Sequence, residues 1–209
     1  MKKYSGMLIT FEGGDGSGKS THTELFKNYL DSKHIPFIAT REPGGTDFSE
    51  AVRSLTKDPQ FVDKSKLSEL LLFEAARADI VEKRILPSLE SGLIVIMDRF
   101  FDSTTAYQSF GRGLPRNIVD QANKIASCGL TPDLTFYMRV EPKTAFERKG
   151  GIDNDAFEIA GLEFQNKVIA GFDKIASENP DRIVVVDTSK DVQDVFDYIV
   201  KTFESRFGR

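Results

Sequence analysis

The chain has 209 residues, 40% hydrophobic and 29% charged, which is ordinary for a globular protein with a sizeable core. Its formal net charge of −4 argues against a nucleic-acid-binding protein, because no overall basic field attracts a phosphate backbone. No apolar run approaches the ~20 residues that span a bilayer, and the one after the basic N-terminus is too short for a signal peptide. With a single cysteine, Cys128, these features predict a cytoplasmic protein without a disulfide or a membrane partner.

Short apolar runs alternate with longer helical patterns along the chain. The runs at residues 7–11, 36–40, 93–97, 134–138 and 183–186 are nearly continuous, which is typical of strands buried on both faces. Apolar helical stripes follow the first run (Leu25, Phe26, Tyr29, Leu30) and precede the third (Leu67, Leu70, Leu71, Ala75, Ala78). This alternation predicts an α/β fold: one domain over residues 1–209, with a parallel sheet of about five strands flanked by helices.

The strongest motif follows the first strand and opens a helix. It reads Gly13-Gly14-Asp15-Gly16-Ser17-Gly18-Lys19-Ser20 and fits the P-loop pattern G-x-x-x-x-G-K-[ST]. Its glycines let backbone N–H groups turn toward a phosphate, and the helix adds its N-terminal dipole. Lys19 would lie between the β- and γ-phosphates of ATP, while Ser20 and Asp98, at the end of the third strand, would ligate Mg²⁺. The predicted ATP site is Gly13, Gly14, Asp15, Gly16, Ser17, Gly18, Lys19, Ser20 and Thr21.

A P-loop alone is compatible with GTPases, motor ATPases and kinases of small molecules. The Asn-Lys pairs at 123–124 and 166–167 lack the following x-Asp of a guanine reader, and the chain is too short for a motor ATPase. Arg41 and Arg99 follow the second and third strands, whose carboxyl ends should meet in one crevice, within reach of a second phosphate. No nucleophilic Ser/His or Cys/His pair is evident. A phosphate acceptor needs none, because its second pKa near ~6 makes its oxygen an anionic nucleophile.

Four blocks together resemble bacterial thymidylate kinase over nearly the whole chain. They are the P-loop with Asp15, Arg41-Glu42-Pro43-Gly44-Gly45-Thr46, the segment 70–78, and the segment 98–108. The resemblance implies a homodimer that uses Mg-ATP to phosphorylate dTMP to dTDP. For dTMP it implies Arg41 and Arg99 at the phosphate, Asp15 and Tyr107 at the deoxyribose, and Phe73, Arg77, Ser103 and Gln108 at the base. Without the other blocks, Phe73 and Arg77 would fit a core phenylalanine beside a surface-reaching arginine.

A glycine-rich polar segment at residues 149–155 fits either a mobile lid or an ordinary surface loop. The resemblance places a lid at about residues 148–158. Eukaryotic family members carry an arginine where Gly16 stands, and many bacterial members carry one in a lid sequence Asp-Arg-x-Glu. Here that sequence is Asp155-Ala156-Phe157-Glu158, so the arginine is missing. We expect Arg148, with Lys149 as a substitute, to supply the catalytic cation beside Lys19, Asp98 and Arg99.

Two alternatives remain. The acceptor could be another pyrimidine nucleotide, such as dUMP or dCMP, or a deoxynucleoside, because the thymine methyl group is worth only about 10- to 200-fold in a fitted pocket. The second alternative is a nucleotide-binding switch that does not turn over its nucleotide. Such a switch would be expected to lack Lys19, Asp98 or the acceptor arginines, and all of them are present.

Overall fold

A five-stranded parallel sheet runs through the middle of the molecule in the computed structural model, which describes residues 4–148 and 161–208. Its strands are β1 (Met7–Glu12), β2 (Phe37–Arg41), β3 (Ile94–Asp98), β4 (Leu134–Arg139) and β5 (Ile183–Asp187). They lie in the order β2-β3-β1-β4-β5, and all neighbours are parallel. The strands expected from the sequence are confirmed, with ends shifted by at most one residue.

The helices of the described residues cover both faces of this sheet. They are α1 (Lys19–Ser32), α2 (Asp47–Lys57), α3 (Lys66–Ile80), α4 (Leu86–Glu90), α5 (Phe101–Thr104), α6 (Arg116–Ala126), α7 (Pro142–Arg148), α8 (Gly161–Glu178) and α9 (Val192–Phe207). Two π-helical turns, Val81–Ile85 and Thr105–Gly111, join α3 to α4 and extend α5. No helix in these ranges has both the length and the apolar content to cross a membrane.

Alternate residues of β1 pack into separate cores, as expected for a strand buried on both faces. Phe11 lies in the core under α1 and α9, where Phe26 and Phe203 meet edge to face with ring centroids 5.2 Å apart. Leu8 lies in the opposite core with Ile80 of α3. Because both neighbours of β1 are also buried strands, the loop that follows β1 starts from the most enclosed strand of the sheet.

Helix α3 does not bury the apolar stripe expected from the sequence. Leu70 is fully buried, but Leu67 and Leu71 are 49% and 55% exposed, so that prediction was wrong for these two leucines. The inward face instead carries three buried charged side chains, Glu69, Glu74 and Arg77. These charges can face inward because Glu69 and Arg77 have partners on other elements and Glu74 pairs with Arg77, which a periodicity argument does not reveal.

Candidate active site

The loop between β1 and α1 is closely packed at two of its glycines, Gly13 and Gly16. A Cβ atom added at Gly13 would lie 2.5 Å from the carbonyl oxygen of Met138. A Cβ atom added at Gly16 would lie 2.5 Å from the carbonyl oxygen of Ala145. Both glycines have positive φ, 138° and 72°, which only glycine adopts without strain. Gly18 begins α1 without a side-chain cap, so the first-turn N–H groups are left for an anionic ligand.

The Lys19 side chain folds back across this loop. Its ammonium group donates to the carbonyl oxygens of Gly14 at 2.8 Å and Gly13 at 3.1 Å, and to the Ser17 hydroxyl at 3.4 Å. Burial, and next the nearby Arg99 guanidinium, lower the pKa of Lys19 to about 8. An anionic ligand in the loop would counter both effects and favour the charged ammonium.

Ser20 and Asp98, the two residues expected to ligate a metal ion, lie in contact with each other. The Ser20 hydroxyl donates to Asp98 Oδ2 at 3.4 Å. Mg²⁺ prefers oxygen ligands and usually takes one or two from the protein, with the rest from phosphates and water. The described residues contain no group of three or more His, Cys, Asp or Glu side chains that could hold a metal ion. The Ser20–Asp98 pair therefore suits Mg²⁺ that arrives with a nucleotide.

Arg99 leaves β3 with φ of 71°, an uncommon conformation for a residue with a side chain. Its backbone N–H donates to the Phe11 carbonyl at 3.0 Å, which fixes the turn against β1. Its guanidinium donates to the Gly13 carbonyl at 2.9 Å, to the Ser103 hydroxyl at 3.0 Å and to Asp15. Since Lys19 also donates to the Gly13 carbonyl, the two cations expected at separate phosphates meet around one backbone oxygen.

The turn at Arg99 is also held by a buried carboxyl group, that of Glu12, which the sequence analysis missed. Glu12, the last residue of β1, accepts the Phe100 N–H at 2.7 Å and the Ser103 hydroxyl at 2.5 Å. Burial, with repulsion from Asp102 as the second cause, raises the pKa of Glu12 to about 8. The sequence held a signal for it, since an acidic residue ending a fully buried strand needs partners nearby.

A cavity adjoins the P-loop on the Arg99 side. It is lined by Asp15, Glu42, Pro43, Arg53, Thr56, Lys57, Phe73, Arg77, Arg99, Phe100, Ser103, Thr104, Tyr107 and Gln108. Seven of the eight residues expected to bind the acceptor are in this set: Asp15, Phe73, Arg77, Arg99, Ser103, Tyr107 and Gln108. Their individual roles stay predictions, but they do surround one space that the P-loop borders through Asp15.

Arg41 is the eighth of those residues and is not one of the lining residues. It ends β2 beside Asp98 of β3, so it does reach the carboxyl edge of the sheet. Its guanidinium donates to both carboxylate oxygens of Glu50, at 2.9 and 3.2 Å, and its side chain is half exposed. To hold the acceptor phosphate as expected, Arg41 would have to turn from Glu50 toward the cavity.

The Arg77 guanidinium is fully occupied by protein partners. Nε and Nη2 donate to Glu42 at 2.9 and 2.7 Å, and Nη2 also donates to Thr104 at 2.8 Å. Nη1 donates to Glu74 at 2.7 Å and to Asn123 at 2.9 Å. A guanidinium has five N–H groups, and all five are used here. The expected hydrogen bond from Arg77 to a base carbonyl therefore requires one of these bonds to be exchanged.

Two buried carboxyl groups surround this single cation. Burial raises the pKa of Glu42 to about 7, although Arg77 acts in the opposite direction. Burial likewise raises the pKa of Glu74 above its ordinary value, again opposed by Arg77. Glu42 Oε1 is buried without a hydrogen-bond partner among the described residues, and Glu42 lines the cavity. This oxygen is thus available to a ligand or to a proton.

Tyr107 and Gln108 reach the cavity from the π-helical turn Thr105–Gly111, in which residues 105–108 are all buried. π-Helical turns often occur at functional sites. The Tyr107 ring lies 5.2 Å from the Arg99 guanidinium carbon, and burial raises the pKa of its hydroxyl to about 12. Gln108 donates from Nε2 to Glu69 at 2.8 Å.

Arg148, the expected catalytic cation, ends α7 and donates to the Thr188 carbonyl at 2.6 Å, beyond β5. The same helix touches the P-loop, because the Ala145 carbonyl lies against Gly16. Lys149 and residues 149–158 of the predicted lid lie outside the described residues. The role of Arg148 stays a prediction.

Helix α2 contributes lining residues that the sequence analysis missed. Arg53, Thr56 and Lys57 lie one turn apart on the same face and all reach the cavity. Arg53 also donates to the Pro43 carbonyl at 3.2 Å. A polar triplet spaced i, i+3, i+4 after the Arg41 block was the available signal, although the same spacing also occurs on solvent-exposed helix faces.

The fold and this site are those of a P-loop nucleoside monophosphate kinase. The family model described as thymidylate kinase matches residues 11–199. The chain is 42% identical to a thymidylate kinase of Prosthecochloris aestuarii, over 97% of this chain and 95% of the relative, and 41% identical to one of Symbiobacterium thermophilum, over 90% and 88%. It is also similar to a crystal structure of thymidylate kinase from Ehrlichia chaffeensis, with a TM-score of 0.80 and 38% identity over 95% of this chain and 98% of that one. The chain belongs to the thymidylate kinase family.

Proposed function

We propose that this chain transfers the γ-phosphoryl group of Mg-ATP to dTMP and releases ADP and dTDP. The observation that carries the proposal is the meeting of Lys19 and Arg99 at the Gly13 carbonyl, with a glycine loop on one side and the lined cavity on the other. A donor phosphate in the loop and an acceptor phosphate beside Arg99 would then be neighbours. In-line transfer needs this proximity more than it needs a strong base.

On the donor side, the P-loop amides and Lys19 would hold the β- and γ-phosphates. Ser20 and Asp98 would hold Mg²⁺, which would neutralise negative charge on the phosphate oxygens. The Lys19 ammonium would exchange its carbonyl partners for phosphate oxygens. This exchange is favourable because hydrogen bonds to ionised acceptors are stronger than those to neutral ones.

On the acceptor side, Arg99 would hold the phosphate, with Arg41 turning in from Glu50. Asp15 and Tyr107 would contact the deoxyribose, while Phe73, Arg77, Ser103 and Gln108 would surround the base. An oxygen of the dTMP phosphate would attack Pγ, and the bond from Pγ to the bridging oxygen would break. The electron pair of that bond stays on the β-phosphate of ADP, so neither a covalent enzyme intermediate nor a general base is required.

ADP release measured with dTMP, dUMP, dCMP, dGMP and thymidine as acceptors tests this proposal. We expect the largest kcat/KM with dTMP. A clear preference for a purine nucleotide or a free nucleoside would contradict it, and absence of ADP release with every acceptor would favour a nucleotide-binding switch. Arg99→Met should remove activity, while the matched control Arg206→Met, whose arginine donates to the Asp181 carbonyl at the end of α9, should not.

A lid at about residues 148–158 is the second part of the proposal. Arg148, or Lys149 in its place, would supply the cation that neutralises the transferring group, a contribution of about 10³-fold or more in related chemistry. In this structure Arg148 is held by the Thr188 carbonyl, so its recruitment requires α7 to shift or the side chain to turn. A small loss of kcat in the Arg148→Ala, Lys149→Ala double variant would refute this assignment.

We further propose that the chain forms one domain over residues 1–209 and a cytoplasmic homodimer. Helices α2, α3 and α6 pack side by side, and each exposes a pair of large apolar residues on one face: Phe48 and Leu55, Leu67 and Leu71, and Ile118 and Ile125. Apolar surface shared by adjacent elements is typical of an interface. Light scattering should give the mass of a dimer for the native chain and of a monomer for Leu71→Lys. A monomeric native chain would refute the homodimer.

A further inference from the structure

The amide group of Gln108 has one defined orientation. Its Nε2 donates to Glu69 Oε1 at 2.8 Å, and the two residues are only 2% and 4% exposed. A carboxylate accepts hydrogen bonds and donates none, so the nitrogen of the amide must face Glu69. Of the two, only Gln108 lines the cavity. With Nε2 turned to Glu69, Oε1 is the hydrogen-bond acceptor that the Gln108 amide keeps for a ligand in the cavity.

Glu69 is itself held in place from behind. Arg112 donates to Glu69 Oε1 from Nε at 3.2 Å and to Oε2 from Nη2 at 3.4 Å. The Arg112 guanidinium carbon also lies 4.9 Å from the ring centre of Phe164 on α8. These two hydrogen bonds and the ring contact hold the carboxylate in its position beside Gln108.

Arg77 and Ser103, the other polar residues predicted to contact the base, are committed to protein partners. Arg77 uses all five of its N–H groups, one of them to Thr104. The Ser103 hydroxyl donates to Glu12 and accepts from Arg99. Among the residues predicted to contact the base, Gln108 is therefore the one with an amide acceptor left to distinguish bases by their hydrogen-bonding pattern.

We propose that Glu69 determines base specificity by holding Gln108 Oε1 toward N3 of the base. Thymine and uracil carry a hydrogen on N3, which Oε1 accepts. Cytosine carries a lone pair there, which Oε1 opposes, and a buried polar mismatch of this kind strongly disfavours the wrong substrate. Glu69 acts through Gln108 and is a positioning residue. The inference rests on the proposed function, because it takes the space between Phe73 and Gln108 as the base subsite.

The test compares kcat/KM for dTMP, dUMP and dCMP in the native chain and in Glu69→Gln. A glutamine at position 69 can donate as well as accept, so Gln108 is free to present its NH₂ group to the cavity. We expect the dTMP-to-dCMP ratio of kcat/KM to fall by at least about tenfold, because the mismatch with cytosine is removed. The dTMP-to-dUMP ratio should stay within about twofold, because both bases carry the N3 hydrogen, and a loss of packing alone would not separate the two ratios.

A second variant, Gln108→Met, keeps the test decisive if Glu69→Gln does not fold. It removes the oriented amide while Glu69 and Arg112 remain paired, and the dTMP-to-dCMP ratio should fall as well. Adding Glu69→Gln to Gln108→Met should change the ratio no further. An unchanged dTMP-to-dCMP ratio in either single variant overturns the inference, whereas failure of the native chain to phosphorylate dTMP overturns the proposed function itself.

Discussion

Replacement of Arg77 by methionine tests the reasoning about the buried charges most directly. The substitution leaves Glu42 and Glu74 buried without the cation that they share. Removing one partner from a buried ion pair typically destabilises a protein by about 3–5 kcal/mol. We expect a loss of this size at pH 8, where the two carboxyl groups would otherwise be charged.

The same variant should be less destabilised at low pH. Arg77 opposes the effect of burial on the pKa of both carboxyl groups, so its removal raises both pKa values further. Each pKa unit corresponds to about 1.4 kcal/mol. Protonation of these carboxyl groups is then more favourable at pH 5.5 than at pH 8, and we expect the loss of stability to be smaller at pH 5.5 by about 1 kcal/mol or more. Urea unfolding followed by circular dichroism at the two pH values measures this difference.

Arg116→Met is a suitable control, because Arg116 pairs with Asp120 and Glu178 on the surface and should contribute less than about 1 kcal/mol. Replacing Glu42 and Glu74 by glutamine in the Arg77→Met background should recover part of the stability at pH 8. An equal loss of stability at pH 8 and pH 5.5, or a loss below about 1 kcal/mol at pH 8, would refute the argument.

Three further outcomes are expected. The free energy of unfolding of the native chain should fall as the pH rises from 5 to 8. The reason is that the native state binds protons at Glu12 (pKa about 8) and Glu42 (pKa about 7) more tightly than the unfolded chain, whose glutamates have a pKa near 4.5. A free energy of unfolding that rises over this pH range would contradict the prediction. Lys19→Ala should lower kcat by about 10²- to 10³-fold or more in the ADP assay, and a near-native kcat would exclude Lys19 from the reaction. Thr46→Ala should cost about 1 kcal/mol in urea unfolding, since Thr46 caps α2 by accepting the Ser49 N–H, and an unchanged midpoint would count against the cap.

The sheet could be predicted from sequence because each strand is a short apolar run with both faces buried. The P-loop was equally clear, since its pattern follows such a run and opens a helix. Helix α3 was not predictable in the same way. Its inward charges are balanced by residues far away in the chain, such as Glu42 and Asn123, while Leu67 and Leu71 remain exposed. A periodicity argument assumes that apolar residues face inward, and a polar cavity reverses that assumption.

The candidate site residues likewise differ in how well the sequence predicts them, depending on whether they lie in a continuous motif. Those in continuous motifs, such as Ser103, Tyr107 and Gln108, were proposed from family resemblance, and they line one cavity; their roles stay predictions. Glu12 and Glu69 were missed because they act through other side chains, and no spacing within the sequence links them to their partners. Contacts between residues more than 30 positions apart become visible only in three dimensions.

The central position of β1 has a consequence for internal motion. An amide in a fully buried strand with a neighbour on each side exchanges its hydrogen only when much of the sheet opens, whereas edge strands such as β2 and β5 can separate locally. We therefore expect the P-loop, which starts at the end of β1, to be held by one of the slowest-exchanging of the described elements. We expect the groups contributed by Arg41 and α2, which follow the edge strand β2, to adjust on a faster timescale.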